Sequence, residues 1–133
     1  MNNKALFLFS FFLIGIIGCS NSSENNCICT QEFRSYSVFI ADENLVGIDS
    51  LVTESKNRQT GEKYQISQSW SMDKGMYVVM DDSHTLKFSG IPTQVIFTAK
   101  KGEIDIEADY FFNTDDCKCH INKVSGPDTI VVR

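Results

Sequence analysis

The sequence predicts an all-β fold, an antiparallel β-sandwich of about seven short strands over residues 27–133, preceded by a signal peptide. Two observations carry this reading. Apolar residues alternate with polar ones in stretch after stretch, the period of a half-buried strand, and helical spacing is scarce after Cys19. Gly, Asp, Asn and Pro clusters then punctuate these stretches at short intervals, as in small sandwiches. Two Cys-x-Cys pairs, Cys27-Ile28-Cys29 and Cys117-Lys118-Cys119, bracket the domain and look like its fastening.

Tyr36, Val38 and Ile40 share one face of a first strand, and Val95, Phe97 and Ala99 one face of a later one. Ile104, Ile106, Ala108 and Tyr110 alternate with three acids. Lys100-Lys101-Gly102-Glu103 joins these last two strands as a hairpin, with Gly102 at positive φ. Leu45 to Thr53, with a bend at Gly47, and Glu62 to Ser69 read as further strands. Met76 to Met80 is continuously apolar and reads as central. Asp81-Asp82-Ser83-His84 is a turn before a short strand, Thr85 to Phe88. Cys117 to Val124 and Thr129 to Val132 close the fold around a Ser125-Gly126-Pro127-Asp128 turn.

The N-terminus is an export signal. One positive charge, Lys4, precedes an apolar run from Ala5 to Ile17 that is shorter than the roughly 20 residues of a membrane span. Ile16-Ile17-Gly18-Cys19 resembles a bacterial lipobox, in which the Cys is lipidated and the bond before it cleaved. The resemblance implies a signal peptide over 1–18, a lipid anchor at Cys19, and a polar tether over 19–26. It also implies a membrane partner, and Ser20 in place of Asp favours the outer membrane. Periplasmic and surface faces are not distinguished.

An exported chain enters an oxidising compartment, where an even Cys set reads as a disulfide framework. With Cys19 lipidated, Cys27, Cys29, Cys117 and Cys119 remain. If the two end segments are antiparallel strands, Cys27 meets Cys119 and Cys29 meets Cys117, with His120 on the opposite face; parallel segments give the other pairing. The antiparallel one is expected. The alternative is a metal-binding or thiol-redox lipoprotein using the same four sulfurs. Structural zinc usually has two to four residues between paired Cys, and only one stands between them here. Haem attachment is excluded by the same spacing.

Val38-Phe39-Ile40, Asp42, Val46-Gly47-Ile48 and Thr60-Gly61 resemble the first part of a carboxypeptidase-regulatory-like, transthyretin-type domain. Glu43-Asn44-Leu45 stands where such domains carry a turn Gly and Pro. The ending from Ala108 through Cys117-Lys118-Cys119-His120 to Pro127 is similar to lipoproteins of Bacteroidetes-type bacteria. The resemblance implies an immunoglobulin-like or transthyretin-like sandwich acting as a stability or binding module, and it carries no catalytic residue over.

No catalytic signature stands out, so the chain is not expected to be an enzyme or to need a cofactor. Ser83-His84 beside Asp81 and Asp82 has the residue types of a hydrolase triad, but neighbours in one turn cannot form one. Asp109 with Asp115-Asp116, or Asp42 with Asp81-Asp82, could gather around Ca²⁺, although no metal site is expected. Trp70, Phe111 and Phe112 are the weak binding candidates, lying in poorly patterned stretches. An envelope protein or a glycan is the expected partner. Twelve basic and 17 acidic residues give a formal charge of −5, one unit lower once Lys4 is removed. With the basic residues scattered, this argues against nucleic acid.

Overall fold

The computed structural model describes residues 27–68 and 73–133. The expected signal peptide over 1–18, the expected lipidation at Cys19, the expected tether and the binding candidate Trp70 lie outside the described residues. Among the described residues eight strands form two sheets: β1 (Ser35–Ala41), β2 (Val52–Asn57), β3 (Lys63–Tyr64), β4 (Met76–Asp81), β5 (Thr93–Lys101), β6 (Ile104–Thr114), β7 (Ile121–Ser125) and β8 (Thr129–Val131). A 3-10 helix, Asp82–Lys87, follows β4. One sheet has the order β4-β1-β8 and the other β3-β2-β5-β6-β7. This is the all-β sandwich that the alternation predicts. One pairing departs from it: β8 runs parallel to β1, with Ile40 opposite Ile130.

The two-residue period places the core. Val95, Phe97 and Ala99 of β5 face inward with Ile106, Tyr110 and Phe112 of β6, against Val38 and Ile40 of β1. Phe112 sits at the centre of an aromatic cluster, with ring centroids 5.7 Å from Tyr36, 6.0 Å from Tyr110 and 6.3 Å from Phe88. Each such ring stabilises the fold by roughly 1.5–3 kcal/mol through burial alone. The β5–β6 hairpin forms as expected, with Lys101 opposite Ile104 and Gly102 at φ 58°.

Four expected strands are corrected. The segment from Leu45 joins no strand ladder until Val52, because Leu45 and Ser50 both adopt φ 60° and break the extended run. Gly47 makes only a single bridge to Ala41. In the expected Glu62–Ser69 strand, the described residues pair in a ladder only at Lys63 and Tyr64, and Ser69 lies outside the described residues. Beyond it the Gln68 side chain stands in for a strand: its amide donates to the Val78 carbonyl and accepts the Val78 N–H, both at 2.9 Å. This covers one step of the β4 edge. Thr85 belongs to the 3-10 helix, whose N-cap is Asp81 and whose C-cap is the buried Phe88. The last correction is at Cys117, where the chain is still turning: Lys118 has φ 53°, its N–H donates to the Asp115 carbonyl, and β7 begins only at Ile121. Among the described residues no helix is long and apolar enough to cross a membrane.

Candidate functional site

The two ends of the domain meet in a clasp. Disulfides join Cys27 to Cys117 and Cys29 to Cys119, with Cα separations of 5.5 and 5.3 Å. The pairing expected from antiparallel strands, Cys27 with Cys119 and Cys29 with Cys117, is thus corrected. Neither Cys-x-Cys lies in a strand. The segment leading into β1 and the segment leading into β7 instead enter side by side from one end, so the register is parallel. In the chain-entropy model the first bridge, spanning about 90 residues, stabilises by about 4–5 kcal/mol. The second closes only a small ring beside it and contributes less.

Behind the clasp, Asp82 gathers three segments. Its Oδ2 accepts the Arg34 N–H at 2.8 Å and lies 2.7 Å from His120 Nδ1, while its Oδ1 accepts the Ile121 N–H at 2.8 Å. The side chains of Asp82 and His120 are only 7% and 8% exposed. With the Nδ1 proton directed at the carboxylate, Nε2 is left to accept from the Thr30 hydroxyl, 2.8 Å away. The His120 carbonyl accepts the Thr114 hydroxyl at 2.9 Å. Burial pushes the Asp82 carboxyl up. The hydrogen bonds from His120, Arg34 and Ile121 outweigh it and hold the group below the ordinary carboxylate value.

This arrangement can fasten segments or relay a proton, since carboxylate, imidazole and hydroxyl follow the order of a nucleophile-activating triad. It is not the group that the Ser83-His84 turn offers. Ser83 caps onto Asp81, and His84 lies edge-on to Tyr64 and against the Gln65 carbonyl. The Asp82 side chain, expected in a solvated turn, is buried. His120 is buried, held between Asp82 and Thr30.

The acids do not gather. Asp42 accepts the Asn44 and Val46 amides of its own turn, Asp109 faces Arg58, and Asp115 accepts the Cys119 N–H. Among the described residues no group of three or more His, Cys, Asp or Glu could hold a metal.

A second site lies on the solvent face of the larger sheet. Phe111 and Gln94 are cross-strand partners there. With the β2–β3 turn and the loop before β5 they line a groove of about 500 Å³. Of the binding candidates, Phe111 is thus half-buried in a groove wall, whereas Phe112 points the other way into the core and is withdrawn as a binding residue. The cause is strand alternation, extended two residues beyond Tyr110. Trp70 lies outside the described residues.

No family model, curated protein or solved structure matches the chain. The reading of function therefore rests on its own residues. Asp82 and Thr30 carry no recognisable motif; the available signal for this group was His120 itself, pinned beside a bridged cysteine.

Proposed function

We propose that the protein is a lipid-anchored β-sandwich of the bacterial outer envelope, acting as a structural or binding accessory module and not as an enzyme. The observation that carries this reading is the double clasp. Two disulfides and an Asp82–His120–Thr30 chain, buried at Asp82 and His120 and reaching the surface at Thr30, fasten the segment that follows the expected tether to the body of the domain. Such a fastening suits a domain held by its N-terminus in an oxidising compartment. The Gly18-Cys19 junction and the transthyretin-type pattern around Val46-Gly47-Ile48 support the same assignment.

Fractionation and intact mass test it together. Wild-type protein is expected in the membrane fraction with an acylated Cys19, and Cys19→Ser in the soluble fraction. Protein purified without reductant should be four hydrogens lighter than the reduced form. Four free thiols, or bound zinc, in envelope-purified protein would replace the clasp with the thiol or metal function of the same cysteines. Ester hydrolysis that disappears in both His120→Ala and Thr30→Val would overturn the non-enzymatic reading.

A further inference from the structure

We propose that the groove at Phe111 is a binding site for a neutral oligosaccharide. The inference rests on the reading of this domain as an envelope binding module, and it names the ligand class.

Three features of the groove select that class. The first is the aromatic surface. Phe111 lies on the outward face of β6, half-buried, with Ile91 and Pro92 beside it on the 89–92 loop. An aromatic face attracts slightly positive C–H groups through its quadrupole, and a pyranose ring presents such groups on its flatter side. The second is unused hydrogen-bonding capacity. The side chains of Gln59, Thr93 and Gln94 line the groove and make no hydrogen bond within the described residues, although their backbones are fixed. Two amides and a hydroxyl offer both donors and acceptors, the mixture that a ring of sugar hydroxyls needs.

The third feature is charge. Arg58 is the cation of the groove, and it is already engaged. Its Nη1 lies 3.3 Å from Glu107 and 3.8 Å from Asp109. Lys56 stands in the same cross-strand row as Asp109, so two cations meet two carboxylates on this face and no net positive charge is left to select an anionic ligand. An apolar face, unspent amides and no net positive charge together fit a polyhydroxylated neutral molecule. They fit an acidic glycan or an acidic peptide poorly.

The framework is rigid enough to hold this geometry. The Arg58 N–H donates to the Gln94 carbonyl, tying the turn to β5, and Asn57 Oδ1 accepts the Gln59 and Thr60 amides. A register shift between Phe111 and Phe112 in the β6–β7 pairing lies beside the ring. Bulges of this kind re-aim side chains.

The test is isothermal titration of the disulfide-intact protein with neutral hexasaccharides. The panel is cellohexaose, maltohexaose, laminarihexaose, xylohexaose, mannohexaose and chitohexaose, with oligogalacturonate as the acidic comparison. At least one neutral glycan should bind more tightly than oligogalacturonate. Phe111→Ala should weaken that binding roughly tenfold, the loss of one stacked ring. Gln59→Ala and Gln94→Ala, whose side chains make no hydrogen bond among the described residues, should each weaken it severalfold with unchanged melting temperature. Val52→Thr, outside the groove, should leave it unchanged. The site is refuted if no panel member binds, if oligogalacturonate binds best, or if Gln59→Ala and Gln94→Ala both bind as wild type does. None of these outcomes bears on the anchor, which Cys19→Ser tests separately.

Discussion

Thr30 Oγ1 lies 2.8 Å from His120 Nε2, and the two residues are 90 positions apart in the chain. The same separation holds for Cys27 and Cys117, and again for Cys29 and Cys119. A constant difference is the mark of parallel segments, since an antiparallel pair keeps a constant sum. Disulfides and hydrogen bond are therefore successive steps of one parallel contact.

The pairing itself can be tested by double substitution. Cys27→Ser/Cys117→Ser and Cys29→Ser/Cys119→Ser each leave one native bridge, and both proteins should show no free thiol. Cys27→Ser/Cys119→Ser leaves mismatched cysteines and should be the least stable of the three. Removing all four should cost somewhat more than the value of one bridge, about 4–5 kcal/mol. Equal stability across the three double variants would count against the parallel pairing.

Asp82 makes acid sensitivity a second test. Its carboxyl is held below the ordinary value of 3.8, so the folded state binds this proton less readily than the unfolded chain does. The stabilisation is complete above the unfolded value and is lost as pH falls through the folded one. Urea midpoints of the wild type should drop as the pH falls below about 4, and those of Asp82→Asn should drop less. At neutral pH, Asp82→Ala leaves an imidazole and two amides without an acceptor and should cost about 3 kcal/mol.

Tyr110 works in the opposite direction. Burial, with the charge of Asp128 second, pushes its hydroxyl well above the usual 10, and the neutral hydroxyl donates to the Pro127 carbonyl at 2.9 Å. A raised value means stability present below the unfolded pKa and lost as pH rises above it. Tyr110→Phe should cost about 1 kcal/mol at neutral pH and flatten the decline in stability above about pH 10. Denaturation curves at neutral and alkaline pH give both numbers.

Gly126 packs under the same ring. It adopts φ 133°, and a Cβ there would meet Tyr110 Cδ1 at 2.2 Å. Gly126→Ala should therefore destabilise by about 3 kcal/mol or more, from a steric clash added to backbone strain. At Gly102, also at positive φ, a Cβ meets nothing within 4 Å. Gly102→Ala should cost only about 1 kcal/mol. Similar melting temperatures for the two variants would contradict the packing.

What the sequence made legible was local. The β5–β6 hairpin follows from alternation and one Gly-containing turn. The same alternation, carried from Tyr110 to Phe112, already separates the inward ring from Phe111. Long-range geometry was not legible. Asp82 reaches His120 across 38 residues and Ile121 across 39, and nothing in the spacing marks that encounter. The pairing direction of the cysteines depends on Lys118 turning the chain at φ 53°, a conformation uncommon for a non-glycine residue. At Leu45, also positive at φ 60°, the departure from the resembled Gly-containing turn is visible in the sequence, but its backbone consequence is not.

The parallel clasp has a mechanical consequence. Tension applied between a tethered N-terminus and the C-terminal strand enters at Cys27 and crosses its disulfide to Cys117. From there it reaches β7 and β8 along a short covalent path. The loop of chain from Ile28 to Asp116 lies outside that path. Both walls of the Phe111 groove belong to this unloaded loop, so the domain can be pulled by its ends while the groove keeps its shape.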